Sequence, residues 1–132
     1  MITMKEIVGR PRNLPVEHKA NIEKLLVAVN ILREQYGKPL QVTSGYRSLE
    51  QHLAIYAAKG ITDKKKIPMK SKHLEGLAVD FADPKGLLQN WILANEDLME
   101  EIGLYFEDFA YTKNWVHVQI VPPKSGKRFF IP

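Results

Sequence analysis

Ser71-Lys72-His73-Leu74-Glu75-Gly76-Leu77-Ala78-Val79-Asp80-Phe81 sets a histidine and an aspartate seven residues apart, and Trp115-Val116-His117 supplies a second histidine further along the chain. Two imidazoles and one carboxylate are a common protein donor set for a catalytic zinc that keeps one position open for water. Whether they meet depends on local structure. Residues 77–81 alternate, with Leu77, Val79 and Phe81 on one face of a strand and Ala78 and Asp80 on the other. Residues 115–121 alternate as well, which sets Trp115, His117 and Gln119 against Val116, Val118 and Ile120. If the two strands are neighbours, Asp80 and His117 project from the same face, and His73 reaches in from the loop ahead of Gly76. A lone His or Asp in a strand is more often a surface or hydrogen-bonded residue, so the spacing alone leaves the metal site open.

The surrounding residues narrow the choice. Ser71, His73, Gly76, Ala78 and Asp80 fit a Ser-x-His-x-x-Gly-x-Ala-x-Asp pattern, with Thr43-Ser44-Gly45-Tyr46-Arg47-Ser48 upstream and Trp115-Val116-His117 downstream. These three motifs, in this order, resemble those of the zinc D-Ala-D-Ala carboxypeptidase and L-alanyl-D-glutamate endopeptidase superfamily. That superfamily includes many phage endolysins and shares its fold with the hedgehog signalling domain. The resemblance runs from about Leu40 to Ile120. It implies a zinc ion held by His73, Asp80 and His117. It also implies that Arg47 binds or polarises the substrate carbonyl, with Ser71, Trp115 and Gln51 as substrate-binding residues.

One position departs from the pattern. The superfamily usually carries Glu or Asp three residues before the last zinc-binding histidine, as the acid/base that takes a proton from the attacking water. Here that catalytic position is Asn114. An amide does not accept that proton near neutral pH, whereas an ionised carboxylate does. Either another carboxylate substitutes, or the protein binds zinc with little turnover. Glu107 and Asp108, ahead of the turn at 112–114, and Glu75, inside the first motif, are the candidates, each by default a solvated surface carboxylate. Zinc lowers the pKa of bound water towards ~7, so some hydrolysis survives without a dedicated base.

Composition frames this reading. A chain of 132 residues fits one domain, 1–132, large enough for a hydrophobic core. Apolar residues at 45% and charged residues at 26% are ordinary for a globular protein. With no cysteine, a disulfide framework and a thiolate metal site are both excluded. The first twelve residues carry charges but no apolar core of signal-peptide length, and no stretch approaches the roughly 18 apolar residues of a membrane span. The expectation is a product made in the cytosol without a signal peptide, which reaches the bacterial cell wall after release or as part of a phage particle.

The net charge is +4, and the lysines cluster: Lys64, Lys65, Lys66, Lys70 and Lys72 ahead of the metal motif, and Lys124, Lys127 and Arg128 near the C-terminus. Such runs are usually solvated loops. Their functional reading is attraction to an anionic polymer. No helix-turn-helix, zinc-finger or RNA-binding signature accompanies them, so nucleic acid is not expected as a partner.

The rest of the chain reads as helices around a small sheet. Leu14-Pro15 introduces a helix with an apolar stripe of Ile22, Leu25, Leu26, Val29, Leu32 and Tyr36, stopped by Gly37 and Pro39. Residues 40–43 read as a strand and 44–47 as a turn. Ser48 and Gln51 form a capping box for a helix ending at Gly60, with His52 on its surface. Residues 60–72 are a long polar loop. Asp83-Pro84 starts a helix to about Asn95 that buries Leu87, Leu88, Trp91 and Ile92, and a short helix over 96–102 stops at Gly103. Residues 104–111 and 115–121 read as a hairpin around 112–114, and Phe129 and Phe130 pack down the tail. The fold class is α+β, a small mostly antiparallel sheet flanked by helices, hedgehog/DD-peptidase-like.

Together these features predict a zinc metallopeptidase that cuts an amide bond in the peptidoglycan stem peptide, in the manner of a phage or prophage lysin. The alternative, from a different class, is a peptidase-like zinc-binding structural or binding module, for example a phage particle component. Asn114 is the feature that favours it.

Overall fold

Thr3 and Glu6 cap each other at the start of the fold. In the computed structural model, which describes residues 1–9, 12–69 and 71–132, they form a reciprocal capping box for helix α1 (Met4–Val8). The sequence had offered only charges here, yet Ile7 and Val8 are buried. Asn30 then clamps the N-terminus: its Oδ1 accepts from the Ile2 N–H at 2.7 Å and its Nδ2 donates to the Ile2 carbonyl at 2.9 Å.

Asn30 belongs to helix α2 (Val16–Tyr36), whose Ile22, Leu25, Val29 and Leu32 are fully buried at helical spacing. Leu26 and Tyr36, expected in the same stripe, are half-buried at its margin. Gly37 ends the helix in the left-handed conformation with its N–H donating to the Arg33 carbonyl.

Strand β1 (Val42–Ser44) follows, then helix α3 (Leu49–Ala58), opened by the expected Ser48–Gln51 capping box. The loop after it contains two 3₁₀ turns, Lys64–Lys66 and Lys72–Glu75; Lys70 lies outside the described residues. Strand β2 (Ala78–Ala82) leads to helix α4 (Leu87–Leu93). Asp83 does cap that helix, but from a distance: its two carboxylate oxygens accept from the Leu88 and Gln89 N–H groups at 3.0 and 2.9 Å, across an intervening turn. The later start rotates the helix so that Leu88 and Ile92 are buried while Leu87, expected inside, is 48% exposed.

Helix α5 (Glu96–Ile102) stops at Gly103 as expected, and strands β3 (Tyr105–Glu107), β4 (Trp115–Gln119) and β5 (Phe129–Phe130) complete the chain. The predicted hairpin is shorter than its sequence suggests. Strand β3 keeps three residues, and the loop 108–114 separates it from β4.

The five strands form one sheet in the order β1-β2-β4-β3-β5. All pairs are antiparallel except β3 with β5, where Phe106 and Glu107 run parallel to Phe129 and Phe130. Phe129 and Phe130 therefore do more than pack: they add an edge strand. Val79, Phe81, Phe106, Val116 and Val118 turn inward to join the α2 stripe in the core. This is an α+β fold compatible with a small peptidase. Among the described residues, no helix is long and apolar enough to cross a membrane.

Candidate metal centre and cleft

The alternation that buries one face of the sheet presents Asp80, Glu107, Trp115, His117 and Gln119 on the other. Strands β2 and β4 pair with Asp80 opposite His117. Asp80 Oδ1 lies 2.9 Å from His117 Nδ1 and 3.2 Å from His73 Nε2.

His73 arrives from the 3₁₀ turn. The Ser71 hydroxyl accepts from the His73 N–H at 3.4 Å, and Gly76 closes the turn at φ +76°. A Cβ at Gly76 would also stand 2.7 Å from Ile22 Cγ1, so both the left-handed backbone and the approach to α2 require glycine. The imidazole is aimed by the Gly45 carbonyl, which accepts from Nδ1–H at 2.8 Å and leaves Nε2 facing Asp80. Gly45 in turn lies against α1, where a Cβ would meet the Ile7 carbonyl oxygen at 2.1 Å.

His73, Asp80 and His117 are all buried, and one donor atom from each lies within 4.8 Å of the others. Burial pushes the Asp80 carboxyl up, but hydrogen bonds from His117 and His73, with the charge of both rings, outweigh it and hold the group at about 2. Burial pushes the His117 imidazole down. The hydrogen bond and charge of Asp80, with Glu107 beyond, reverse this and raise it above its ordinary value. A pocket that favours a proton on His117 also favours a metal cation there, and the two compete for the same nitrogen. Two imidazole nitrogens and a carboxylate oxygen, converging and buried, fit a metal ion of the zinc type.

The three donors form the floor of a cleft of about 730 Å³. Ser71 and Trp115, expected to touch substrate, both line it. So does Arg47, whose Nε and Nη2 donate to Ser44 Oγ at 3.1 and 2.8 Å and whose backbone N–H donates to the His73 carbonyl.

His52 corrects the sequence reading. Expected at the surface, it is fully buried, with Nε2 donating to the Pro68 carbonyl at 3.0 Å and Nδ1 at 3.4 Å from Arg47 Nη1. Burial lowers its pKa; the Pro68 carbonyl pulls upward and the Arg47 guanidinium downward. It is a support for Arg47 and the loop 60–72, and stands outside the donor group.

Gln51 and Asn114 are not brought to the cleft. Gln51 Oε1 is used by the Ser48 N–H and by Arg12 Nη1 at 2.6 Å. Asn114 is exposed at φ 66° in the turn before β4, and its carbonyl accepts from the Asp83 N–H. Among the alternative carboxylates, Glu75 is exposed and pairs with Lys72, and Asp108 accepts from the Ala110 N–H in the loop. Glu107 differs: half-buried on β3, it lines the cleft with Oε1 4.0 Å from His117 Nδ1. Burial raises its pKa; His117 lowers it, Asp80 raises it and His73 lowers it.

Two contributions were missed in the sequence. Gln119 is buried beside His117, with Oε1 2.9 Å from Nε2; its place two residues along the same strand face was the available signal. Residues after β4 also wall the cleft, through Pro123, Lys124 and Phe130, the last edge-on to His117 at 6.1 Å between ring centres.

Compared with known proteins, the chain matches the sequence profile of the Peptidase M15 family over residues 3–119, which spans α1 through β4 and every donor of the metal centre. No curated protein and no solved structure gives a significant match. With the profile covering nearly all of the fold, the chain belongs to the Peptidase M15 family, in the zinc D-Ala-D-Ala carboxypeptidase superfamily.

Proposed function

We propose that the protein is a zinc metallopeptidase that hydrolyses an amide bond in the peptidoglycan stem peptide, as a phage or prophage lysin. The observation that carries this reading is the convergence of His73 Nε2, Asp80 Oδ1 and His117 Nδ1 at the floor of an open cleft. His73, Asp80 and His117 would hold a zinc ion, which would supply Lewis acidity to the scissile carbonyl and lower the pKa of a water molecule towards ~7.

The chain's own groups account for the remaining steps. Glu107 accepts the proton of the attacking water, and its burial, which raises its pKa, suits it to return that proton to the leaving amine. The new C–O bond and the broken C–N bond then balance with one proton carried across by Glu107. Arg47, braced by Ser44 and His52, donates to the carbonyl oxygen as negative charge develops on it. Lys59, Lys72 and Lys124 also line the cleft, while its acids are Asp80 and Glu107. That surplus of cations suits a peptide that carries free carboxylates, as the stem peptide does.

The rival reading, a metal-binding structural module, drew its support from Asn114. Glu107, on the neighbouring strand and in the cleft, offers a carboxylate in place of Asn114 and so supports the enzyme reading. The test is incubation of the zinc-loaded protein with purified peptidoglycan, followed by mass analysis of released fragments. Cleavage that stops with a chelator and returns with zinc is expected, and His117→Ala is expected to lose about one equivalent of metal together with the activity. Stoichiometric zinc without any cleavage would instead favour the structural module.

A further inference from the structure

We propose that His52 is a positioning residue that aims Arg47 at the substrate and ties that aim to the loop walling the cleft. The inference rests on the reading of Arg47 as the residue that meets the substrate oxygen, and it starts from a count of hydrogens. A guanidinium has five N–H groups and no acceptor. Ser44 Oγ accepts from Nε at 3.1 Å and from Nη2 at 2.8 Å. Nη1 lies 3.4 Å from His52 Nδ1. One hydrogen on Nη1 and one on Nη2 remain, and neither has a protein acceptor among the described residues. Arg47 lines the cleft, so these two are left for a substrate oxygen. Both Ser44 contacts end on a single oxygen atom, about which the guanidinium plane could pivot. The contact at Nη1 removes that pivot.

The two ring nitrogens of His52 have partners of opposite kind. The Pro68 carbonyl, 3.0 Å from Nε2, only accepts, whereas Arg47 Nη1 only donates. The ring is therefore neutral with its hydrogen on Nε2, and its lone pair on Nδ1 accepts from Arg47. It is fully buried, so bulk water does not substitute for either partner. Pro68 belongs to the loop whose Met69, Ser71 and Lys72 also line the cleft. One imidazole thus joins that wall to the guanidinium, and a shift of the loop at Pro68 carries over to the aim of Arg47.

The test separates the two ends of the ring. In His52→Asn the amide oxygen stands near the place of Nδ1 and accepts from Arg47 without reaching Pro68. In His52→Gln the amide nitrogen stands near the place of Nε2 and donates to Pro68, which leaves Nη1 without its acceptor. Cleavage kinetics and the ¹⁵Nη signals of Arg47 are measured on the zinc-loaded protein, and the His52 tautomer by long-range ¹H–¹⁵N correlation. The wild type should show an Nε2–H ring and separate Nη1 and Nη2 signals. His52→Gln should show averaged Nη signals and a kcat about 10–10²-fold lower at unchanged zinc content. His52→Asn should recover most of the rate and the separate signals. An Nδ1–H ring in the wild type, or equal kcat in the two variants, overturns the proposal. A merely structural His52 would lower the melting temperature in both variants and leave their Nη signals alike. If neither variant folds, the wild-type tautomer and Arg47 signals decide. Absence of cleavage by the wild type would bring down the peptidase reading, while the Nη signals would still judge His52.

Discussion

Asp80 and His117 stand directly opposite each other on antiparallel strands β2 and β4, with Asp80 Oδ1 2.9 Å from His117 Nδ1. Their pairing makes the centre sensitive to pH from both sides. The Asp80 carboxyl, at about 2 against an ordinary 3.8, contributes stability that is present above 3.8 and lost as pH falls towards 2. His117, raised above 6.5, contributes stability that is present below 6.5 and lost as pH rises through the higher value. Metal-free protein, unfolded in urea across this range, should therefore draw most from the pair between about 3.8 and 6.5, with Asp80 contributing about 2 kcal/mol. Asp80→Asn should flatten both limbs. An unchanged pH profile in that variant would mean that the pair is not their source.

Glu107, rather than the residue at position 114, should govern proton transfer. Glu107→Gln is expected to lower kcat by about 10²–10⁴-fold with zinc still bound. Asn114→Asp should bring no gain, because Asn114 is exposed in the turn outside the cleft. Steady-state kinetics on both variants check this, and a large gain from Asn114→Asp would reverse the assignment.

Arg47→Lys keeps the charge and loses the planar fork that meets Ser44 and His52. Activity should fall by about 10²–10³-fold, and stability by only about 1 kcal/mol. Parallel measurement of kcat/KM and thermal unfolding separates the two effects. A large stability loss with unchanged specific activity would make Arg47 a structural residue.

Gly45→Ala should damage the metal centre from behind. Its Cβ would meet the Ile7 carbonyl oxygen at 2.1 Å, so α1 or the segment that holds the His73 imidazole must move. A loss of about 2 kcal/mol or more in denaturant unfolding is expected, together with weaker zinc binding. Normal stability and normal zinc binding together would show that α1 shifts freely.

Much of this architecture is local and therefore legible along the chain. Period-two alternation assigned Asp80 and His117 to one face of their strands, and the helical spacing of Ile22, Leu25, Val29 and Leu32 marked the core side of α2. The Ser48–Gln51 box and the stops at Gly37 and Gly103 also appear where the sequence set them. Each depends on residues within a turn or two of one another, so short-range sterics and hydrogen bonding suffice.

What the sequence determined by itself is thus the donor chemistry, His73, Asp80 and His117, and the faces on which two of them stand. Only the tertiary structure decided their surroundings. His52 is buried because Pro68 and Arg47, from separate segments, close over it. Glu107 reaches the cleft because β3 pairs with β4 on the side away from β2, while the turn carries Asn114 outward. Gln119 gains its partners from the ring of His117 and the carbonyl of Val121 as the chain leaves the sheet. Strand period fixes the direction of a side chain, but its neighbours are set by which strands pair, in what register, and what packs across them.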